Sequence, residues 1–276
     1  MLSYKHGYHA GNHADVFKHI ILIYLYNQIK KHHKSISYID THSGNGRYKY
    51  VSKYMEKNRE YMFGIKKIEK YEGENYLIKN YLRILSSIDK QKNFYPGSPY
   101  IISNISQKTD RLFFCELHNN EFKDLKLNLN KFPNTKIINI NGFDYINNNI
   151  NNKEKFFILV DPSYEIKEDF YEIYNLLNNI HTKFEKSKII IWYPILNYLE
   201  NDIFIDNIRK KGINNIINVE LPIIENNDER GMKGSGLLLI NFKDKKIFTN
   251  LKLLMKDLQI CLRQSDNVYK SKIRYL

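Results

Sequence analysis

Apolar positions along this chain fall into two alternating patterns: short unbroken runs, and longer stretches where they recur every three or four residues. The clearest run is Phe156–Val160, too uniformly apolar for a strand with a wet face. It stops at Asp161-Pro162, where a proline ends the hydrogen-bond ladder. Further strands are predicted at Ile36–Ile39, Leu112–Leu117, Lys136–Ile140, Ile189–Tyr193, Ile216–Leu221 and Gly236–Phe242. Helical spacing separates most of them. Asn12 is placed to cap a first helix, with Asp15 in its first turn and Val16, Phe17, Ile20, Ile21, Ile23, Tyr24 and Leu25 on a broad apolar face reaching Lys30. Phe170–Phe184 and Asn201–Lys211 read as helices too. Alternation of this kind predicts an α/β, doubly wound, mostly parallel sheet. One long polar helical stretch breaks the rhythm, with Tyr54, Tyr61, Ile65, Ile68, Tyr71, Leu77, Tyr81, Leu82, Leu85 and Ile88 as its apolar spine. It is too long for a loop and divides the chain into a main domain, 1–49 and 95–276, and an inserted helical subdomain, 50–94. Residues 145–152 are an asparagine-rich loop, and 243–276 a tail carrying nine Lys/Arg against three Asp.

Charge sharpens this outline. The chain has 276 residues, a hydrophobic fraction of 42% that is ample for a core, 22 Tyr, 15 Phe, and a formal charge of +13. Such an excess suits a polyanion, and equally a merely soluble surface. Five lysines face a single aspartate in the first 34 residues, beside six histidines. Tyr4, Lys5, His6, Tyr8 and His9 form a basic, aromatic arm suited to RNA, or an ordinary covering tail. Cys115 and Cys261 form no CxxC, which speaks against a disulfide framework and a thiolate zinc site. His9 and His13 are four apart, yet no HExxH or paired carboxylate supports them, so no metal is expected. No apolar run approaches transmembrane length and the start does not resemble a signal peptide, so a cytoplasmic protein without a membrane partner is expected.

Two places carry candidate chemistry. Asp40-Thr-His-Ser-Gly-Asn-Gly46 follows the first strand, where glycines let a ligand approach the backbone. Lys49 stands where the third glycine of GxGxxG belongs, so the loop suits S-adenosylmethionine, a nucleoside without a pyrophosphate, better than NAD. Nor is it GxxxxGK[ST], which removes support for ATP hydrolysis. Asp161, Pro162 and Tyr164 offer a carboxylate, a carbonyl and a flat ring, a pocket for a planar amine. A plain Asp-Pro turn with a surface tyrosine has the same residues. Ser98 is placed to cap a helix beginning at Pro99, Glu116 sits at a strand edge where a carboxylate holds ribose hydroxyls, and Asn141-Gly142-Phe143-Asp144 reads as an Asn-Gly turn. A flexible basic loop, Arg230–Gly236, lies between the last two strands.

Together, Leu2–His19, Asp40-Thr-His-Ser-Gly, Tyr95-Pro-Gly-Ser-Pro99, Glu116-Leu-His118, Asn141-Gly-Phe143, Asp161-Pro-Ser-Tyr164, Trp192-Tyr-Pro194 and Arg230-Gly-Met232 resemble, in order, the bacterial 23S ribosomal RNA adenine-N6 methyltransferase family. The resemblance implies a Rossmann-like class I S-adenosylmethionine-dependent methyltransferase, seven-stranded with a final hairpin, monomeric, with a small helical subdomain. It implies that His19, His42, Ser98, Glu116, Asn141, Gly142 and Asp161 contact S-adenosylmethionine. Asp161 is then the catalytic acceptor, with Pro162, Tyr164 and Lys18 completing the catalytic set. Tyr4, Lys5, His6, Lys18 and Tyr164 are expected to engage the substrate, 23S RNA free of ribosomal proteins.

Two positions depart from that family. Asn141 stands where it has aspartate, losing a charge at the cofactor, and Ser163 replaces a second proline, freeing the backbone that aims the Pro162 carbonyl. Three other readings stay open: a DNA adenine-N6 methyltransferase, a nicotinamide dehydrogenase, and a degenerate, non-catalytic RNA-binding protein. Calorimetric titration separates one of them. S-adenosylhomocysteine is expected to release heat and raise the melting temperature, whereas heat from NAD alone would restore the dehydrogenase reading.

Overall fold

The computed structural model describes residues 5–151, 153–225 and 231–276. Tyr4 and Arg230 lie outside them. The first helix, α1 (His13–Lys30), starts where Asn12 accepts hydrogen bonds from the N–H groups of Ala14 and Asp15. It is buried on nearly every side, polar Asp15, Lys18 and His19 included. A helix apolar all round needs cover all round.

The chain then runs through β1 (Ser37–Asp40) and the short strand β2 (Arg47–Lys49) into helices α2 (Lys53–Asn58), α3 (Ile65–Ile68) and α4 (Tyr76–Ile88), returning as β3 (Phe94–Pro96). Strands β2 and β3 pair antiparallel at the base of this helical stretch. Its buried residues, among them Met55, Tyr61, Ile65, Ile68, Leu77 and Tyr81, join the same hydrophobic cluster as α1 and cover that helix's outer side. Next come α5 (Ser98–Ile105), β4 (Arg111–Cys115), α6 (Asn119–Leu129), β5 (Thr135–Ile138), α7 (Gly142–Asn149), β6 (Phe156–Val160), α8 (Lys167–Asn178), β7 (Lys188–Ile195) and α9 (Tyr198–Lys210). The chain ends through β8 (Ile216–Pro222), β9 (Gly234–Ile240), α10 (Lys245–Leu262) and β10 (Lys272–Tyr275).

Among the described residues the main sheet has eight strands in the order β10-β8-β9-β7-β6-β1-β4-β5. Parallel pairing runs from β5 to β7, and β9 enters antiparallel between β7 and β8. This is the expected Rossmann-like class I arrangement with one strand more. The period of two explains its three layers. Phe157 and Leu159 pack into the cluster of α1, α5, α6 and α10, while Ile158 and Val160 face the cluster of α7, α8 and α9. Strand β7 continues through Pro194 because β6 pairs only as far as Ile191; beyond it the proline owes no ladder bond on that side.

Three expectations are corrected. The basic stretch 243–276 is no tail: α10 buries Ile247, Leu251, Leu254, Met255, Leu258 and Leu262. Strand β10, hidden in sequence by its alternating charges, pairs with β8, where Arg274 meets buried Glu220 at 3.3 Å. The Asn141-Gly142 pair makes no turn, and residues 145–149 of the expected asparagine-rich loop are helical. The pair starts α7, with the Asn141 side chain accepting from the Phe143 N–H.

Asp110 shows how the helical and sheet layers are tied. Its carboxylate accepts from the Tyr26 hydroxyl, the Lys30 ammonium at 2.6 Å, and the backbone N–H groups of Ile36 and Gln107 at 2.8 Å. It is 2% exposed, so removing it strands four donors. Asp110→Ala is expected to cost about 3–5 kcal/mol in thermal or urea denaturation. Burial opposes its ionisation, but these donors hold its carboxyl below the usual range. The stabilisation is therefore present at neutral pH and is lost only as acid protonates the folded carboxylate.

Candidate active site

The chain runs from β1 to β4 and β5 on one side, then returns to β6 and β7 on the other. Ligands bind at the carboxyl ends of strands flanking such a reversal. Here the turn after β1 is stitched to both neighbours: the Thr41 N–H donates to the Leu159 carbonyl and the Ser43 N–H to the Cys115 carbonyl, each at 3.0 Å. The cleft above it measures about 310 Å³ and is bounded by the turn, by α1, by the loop after β6 and by the ends of β4 and β7.

Its floor admits close approach. Gly44 has φ +57°, a left-handed backbone, and a Cβ there would lie 2.2 Å from the Tyr48 hydroxyl. A Cβ on Gly142 would lie 2.1 Å from the Thr41 carbonyl, which is how α7 reaches the turn. Glu116 accepts the Gly44 N–H at 2.8 Å and the His118 N–H at 2.7 Å, so it is aimed by the backbone. Burial pushes its carboxyl up, against those two donors. A fixed carboxylate over a glycine turn fits the ribose of a nucleoside, and the cleft lacks the helix N-terminus that would cradle a pyrophosphate directly after β1, because β2 follows instead. These features fit S-adenosylmethionine.

Ser98 is placed differently from its expected capping role. Gly97 is the N-cap of α5, and the Ser98 hydroxyl donates to Asp40 at 2.6 Å. His19 stacks on Tyr95 and shares a 2.7 Å hydrogen bond with its hydroxyl. His42 pairs with the Thr41 hydroxyl at 2.7 Å and sets its edge against Phe143. Burial brings both imidazoles down to about 3, so they line the cleft as neutral rings.

The opposite wall is a chain of charges. His6, Asp15, Lys18 and Asp161 follow one another: His6 Nε2 lies 2.9 Å from Asp15 Oδ2, Lys18 Nζ lies 3.0 Å from Asp15 Oδ1, and Lys18 also pairs with Asp161 Oδ2. The Gly11 N–H donates to Asp15 at 2.9 Å. Burial opposes each charge, but the facing partners outweigh it, holding Asp15 well below the usual carboxylate range and His6 and Lys18 above theirs. Lys18 is 3% exposed. Its ammonium faces the two carboxylates and lines the cleft from there. Lys5 is exposed and donates to the Tyr54 hydroxyl at 3.0 Å.

The loop after β6 is held without a second proline. Tyr164 has φ +54°, uncommon for a tyrosine, and is kept there by its N–H donating to Asp169 at 2.8 Å and its hydroxyl to the Trp192 carbonyl at 2.5 Å. Its ring packs on Phe170 and Trp192 and lines the cleft beside Pro162. The freedom expected from Ser163 is removed by these two bonds.

Sequence reasoning missed Asp15 as a hub, although its spacing to Lys18 and His19 already put all three on one helical face. It missed Asp40 as a partner of Ser98, and the hold that Trp192 has on Tyr164 through both its carbonyl and its ring. Among the described residues no three His, Cys, Asp or Glu side chains gather as a metal site, and no helix is long and apolar enough to cross a membrane.

Comparison with known proteins agrees with this geometry. The family model described as ribosomal RNA large subunit methyltransferase D, RlmJ, matches residues 33–268. Ribosomal RNA large subunit methyltransferase J of Haemophilus influenzae is 33% identical over 245 residues, and its namesake in Escherichia coli K12 31% over 244, each match covering 87% of both chains. A crystal structure of a Legionella pneumophila protein superposes with a TM-score of 0.82 at 29% identity, covering 96% of this chain and 98% of that one.

Burial pushes the Asp40 carboxyl up to about 7, against the Ser98 hydroxyl. The folded state thus holds a proton that an unfolded aspartate releases near 3.8. Between those values folding takes up a proton, so this residue's contribution to stability falls as pH rises. Relative to Asp40→Asn, wild-type stability should decline from pH 5 to pH 8. A difference independent of pH would show that Asp40 does not titrate.

Proposed function

The chain belongs to the ribosomal RNA large subunit methyltransferase family whose model spans most of it, and on that premise we propose that it transfers a methyl group from S-adenosylmethionine to the N6 amino group of an adenine in 23S ribosomal RNA. The observation carrying the adenine reading is Asp161-Pro162 at the end of β6, with a carboxylate and a main-chain carbonyl beside the Tyr164 ring on one wall of the cofactor-sized cleft. The substrate is proposed to be RNA free of ribosomal proteins, and the enzyme a monomer. Residues 50–94 are proposed as an inserted subdomain within a catalytic domain of 1–49 and 95–276.

S-adenosylmethionine, when bound, supplies an electrophilic methyl group on a sulfonium. Glu116 is proposed to accept its ribose hydroxyls, with His19, His42, Ser98, Asn141 and Gly142 shaping the wall around it. The amino group of adenine is conjugated into its ring and is a poor nucleophile. Asp161 Oδ1 and the Pro162 carbonyl accept its two hydrogens, raising electron density on the nitrogen. Asp161 then takes the released proton as a general base. Lys18, which also pairs with Asp15, holds the Asp161 carboxylate in position. Tyr164 flanks the base, which leaves its stack to enter. Most of the acceleration comes from orientation and from charges fixed in advance. Tyr4, Lys5 and His6 are proposed to engage the RNA.

Wild-type protein should transfer a labelled methyl group to adenine N6 in protein-free 23S RNA, identified by mass spectrometry of the digest. Asp161→Ala should lower the rate by about 10²–10⁴-fold. Because Asp169 and Trp192 already pin the loop, Ser163→Pro should leave the rate nearly unchanged. Methylation of duplex DNA but not RNA would move the protein to the DNA enzymes. Cofactor binding without transfer to either would favour a non-catalytic RNA binder.

A further inference from the structure

The helical insertion touches the cleft's rim beside Lys5 and His6, through residues to which the proposed reaction gives no role. The 3₁₀ turn His6–Tyr8 packs against α2, so tightly that a Cβ on Gly7 would lie 3.2 Å from the Tyr54 Cβ. Tyr8 and Tyr54 meet edge to face at 5.2 Å, and both are only half-buried. Three exposed ammonium groups sit over these rings: Lys5 and Lys53 over Tyr54 at 4.8 and 5.2 Å, and Lys57 over Tyr8 at 5.4 Å. The nearby acids are otherwise engaged. Glu56 holds Arg59 at 2.6 Å and the Tyr61 hydroxyl, while Glu60 pairs with His9 at 2.8 Å and the Asn12 amide. Three cations thus remain without a carboxylate partner among the described residues, arranged around two aromatic rings. His6, at the start of the same turn, lines the cleft, so the patch is continuous with the site.

We propose that Tyr8, Lys53, Tyr54 and Lys57 form a platform for the single-stranded RNA adjoining the target adenine. The inference rests on the RNA methylation proposed above. Exposed ammonium groups beside half-buried rings suit a strand in which phosphates and unstacked bases alternate, as single-stranded RNA presents them and a stacked duplex does not. The insertion therefore has a task of its own: it holds the strand while the extruded base occupies the cleft. Tyr8 and Tyr54 offer faces to neighbouring bases, and Lys53 and Lys57 meet the phosphates between them.

The test uses the full chain and protein-free 23S RNA. In the double variant Lys53→Ala/Lys57→Ala, two phosphate contacts are lost. The slope of log affinity against log salt should then flatten by about 1.4, from roughly 0.7 per single-strand phosphate. KM for RNA should rise while kcat stays within about twofold and S-adenosylhomocysteine affinity is unchanged. Tyr54→Ala should weaken RNA binding about tenfold through lost stacking, and Tyr54→Phe, which keeps the ring but not the hydroxyl bond to Lys5, should restore most of it. Wild-type affinity and salt slope in the double variant would overturn the platform. So would a loss confined to kcat or to cofactor affinity. If wild-type protein neither binds nor methylates RNA, the failure lies instead with the proposed reaction.

Discussion

A single buried ammonium, that of Lys18, holds the active end of this molecule together. It lies between Asp15 on its own helix and Asp161 at the end of the central strand β6. A charge at this depth is tolerable only when fully partnered, and breaking such a set is costlier than never having built it. Much else follows from that demand. Asp15 needs Gly11 and His6, which draws the N-terminal turn over the cleft. The helix carrying these charges must be screened from water on its far side, which the helices between β2 and β3 and α10 accomplish. The helices between β2 and β3 are thus part of the dielectric environment of the Asp161 carboxylate.

How much of this could be read beforehand depended on whether the cause was local. Phe156–Val160 and the Asn12 cap were legible because continuous apolarity and a capping side chain act within a few residues. The helices between β2 and β3 were legible from length and spacing, and the strands themselves were not, since three-residue strands have no periodicity to detect. Strand β10 alternates Lys272 and Arg274 with Ile273 and Tyr275, and only its partner β8 makes it a strand. Most site residues named from motif resemblance line one cleft; Lys5 lies outside that lining, on Tyr54, and Tyr4 is outside the described residues. Their partners were the harder part. Ser98 looked like a cap because serine before proline commonly is one, yet a buried carboxylate from a different strand claims its hydroxyl.

Two departures from the family pattern find physical substitutes. The backbone after Asp161 is fixed by two hydrogen bonds from Tyr164 where a proline ring would have restricted it, so rigidity comes from tertiary contacts. Asn141 has no formal charge, but its carbonyl oxygen starts α7 and holds Gly142 against the turn after β1. In both places the shape of the cleft depends on a side chain's hydrogen bond, and so on neighbours distant in sequence.

Strand β10 also bears on how copies of this chain behave toward one another in concentrated solution. Without it, the seven buried residues of β8, five of them apolar, would present unpaired amide and carbonyl groups at the sheet's margin. Such a margin is a template for recruiting another chain's backbone. The strand that covers it is four residues long, with Lys272 paired to Asp202 and Arg274 to Asp202 and Glu220, so the new border is short and its charges are already matched. The last strand of the chain therefore replaces a seven-residue open margin with a four-residue one, which shortens the template offered to another backbone.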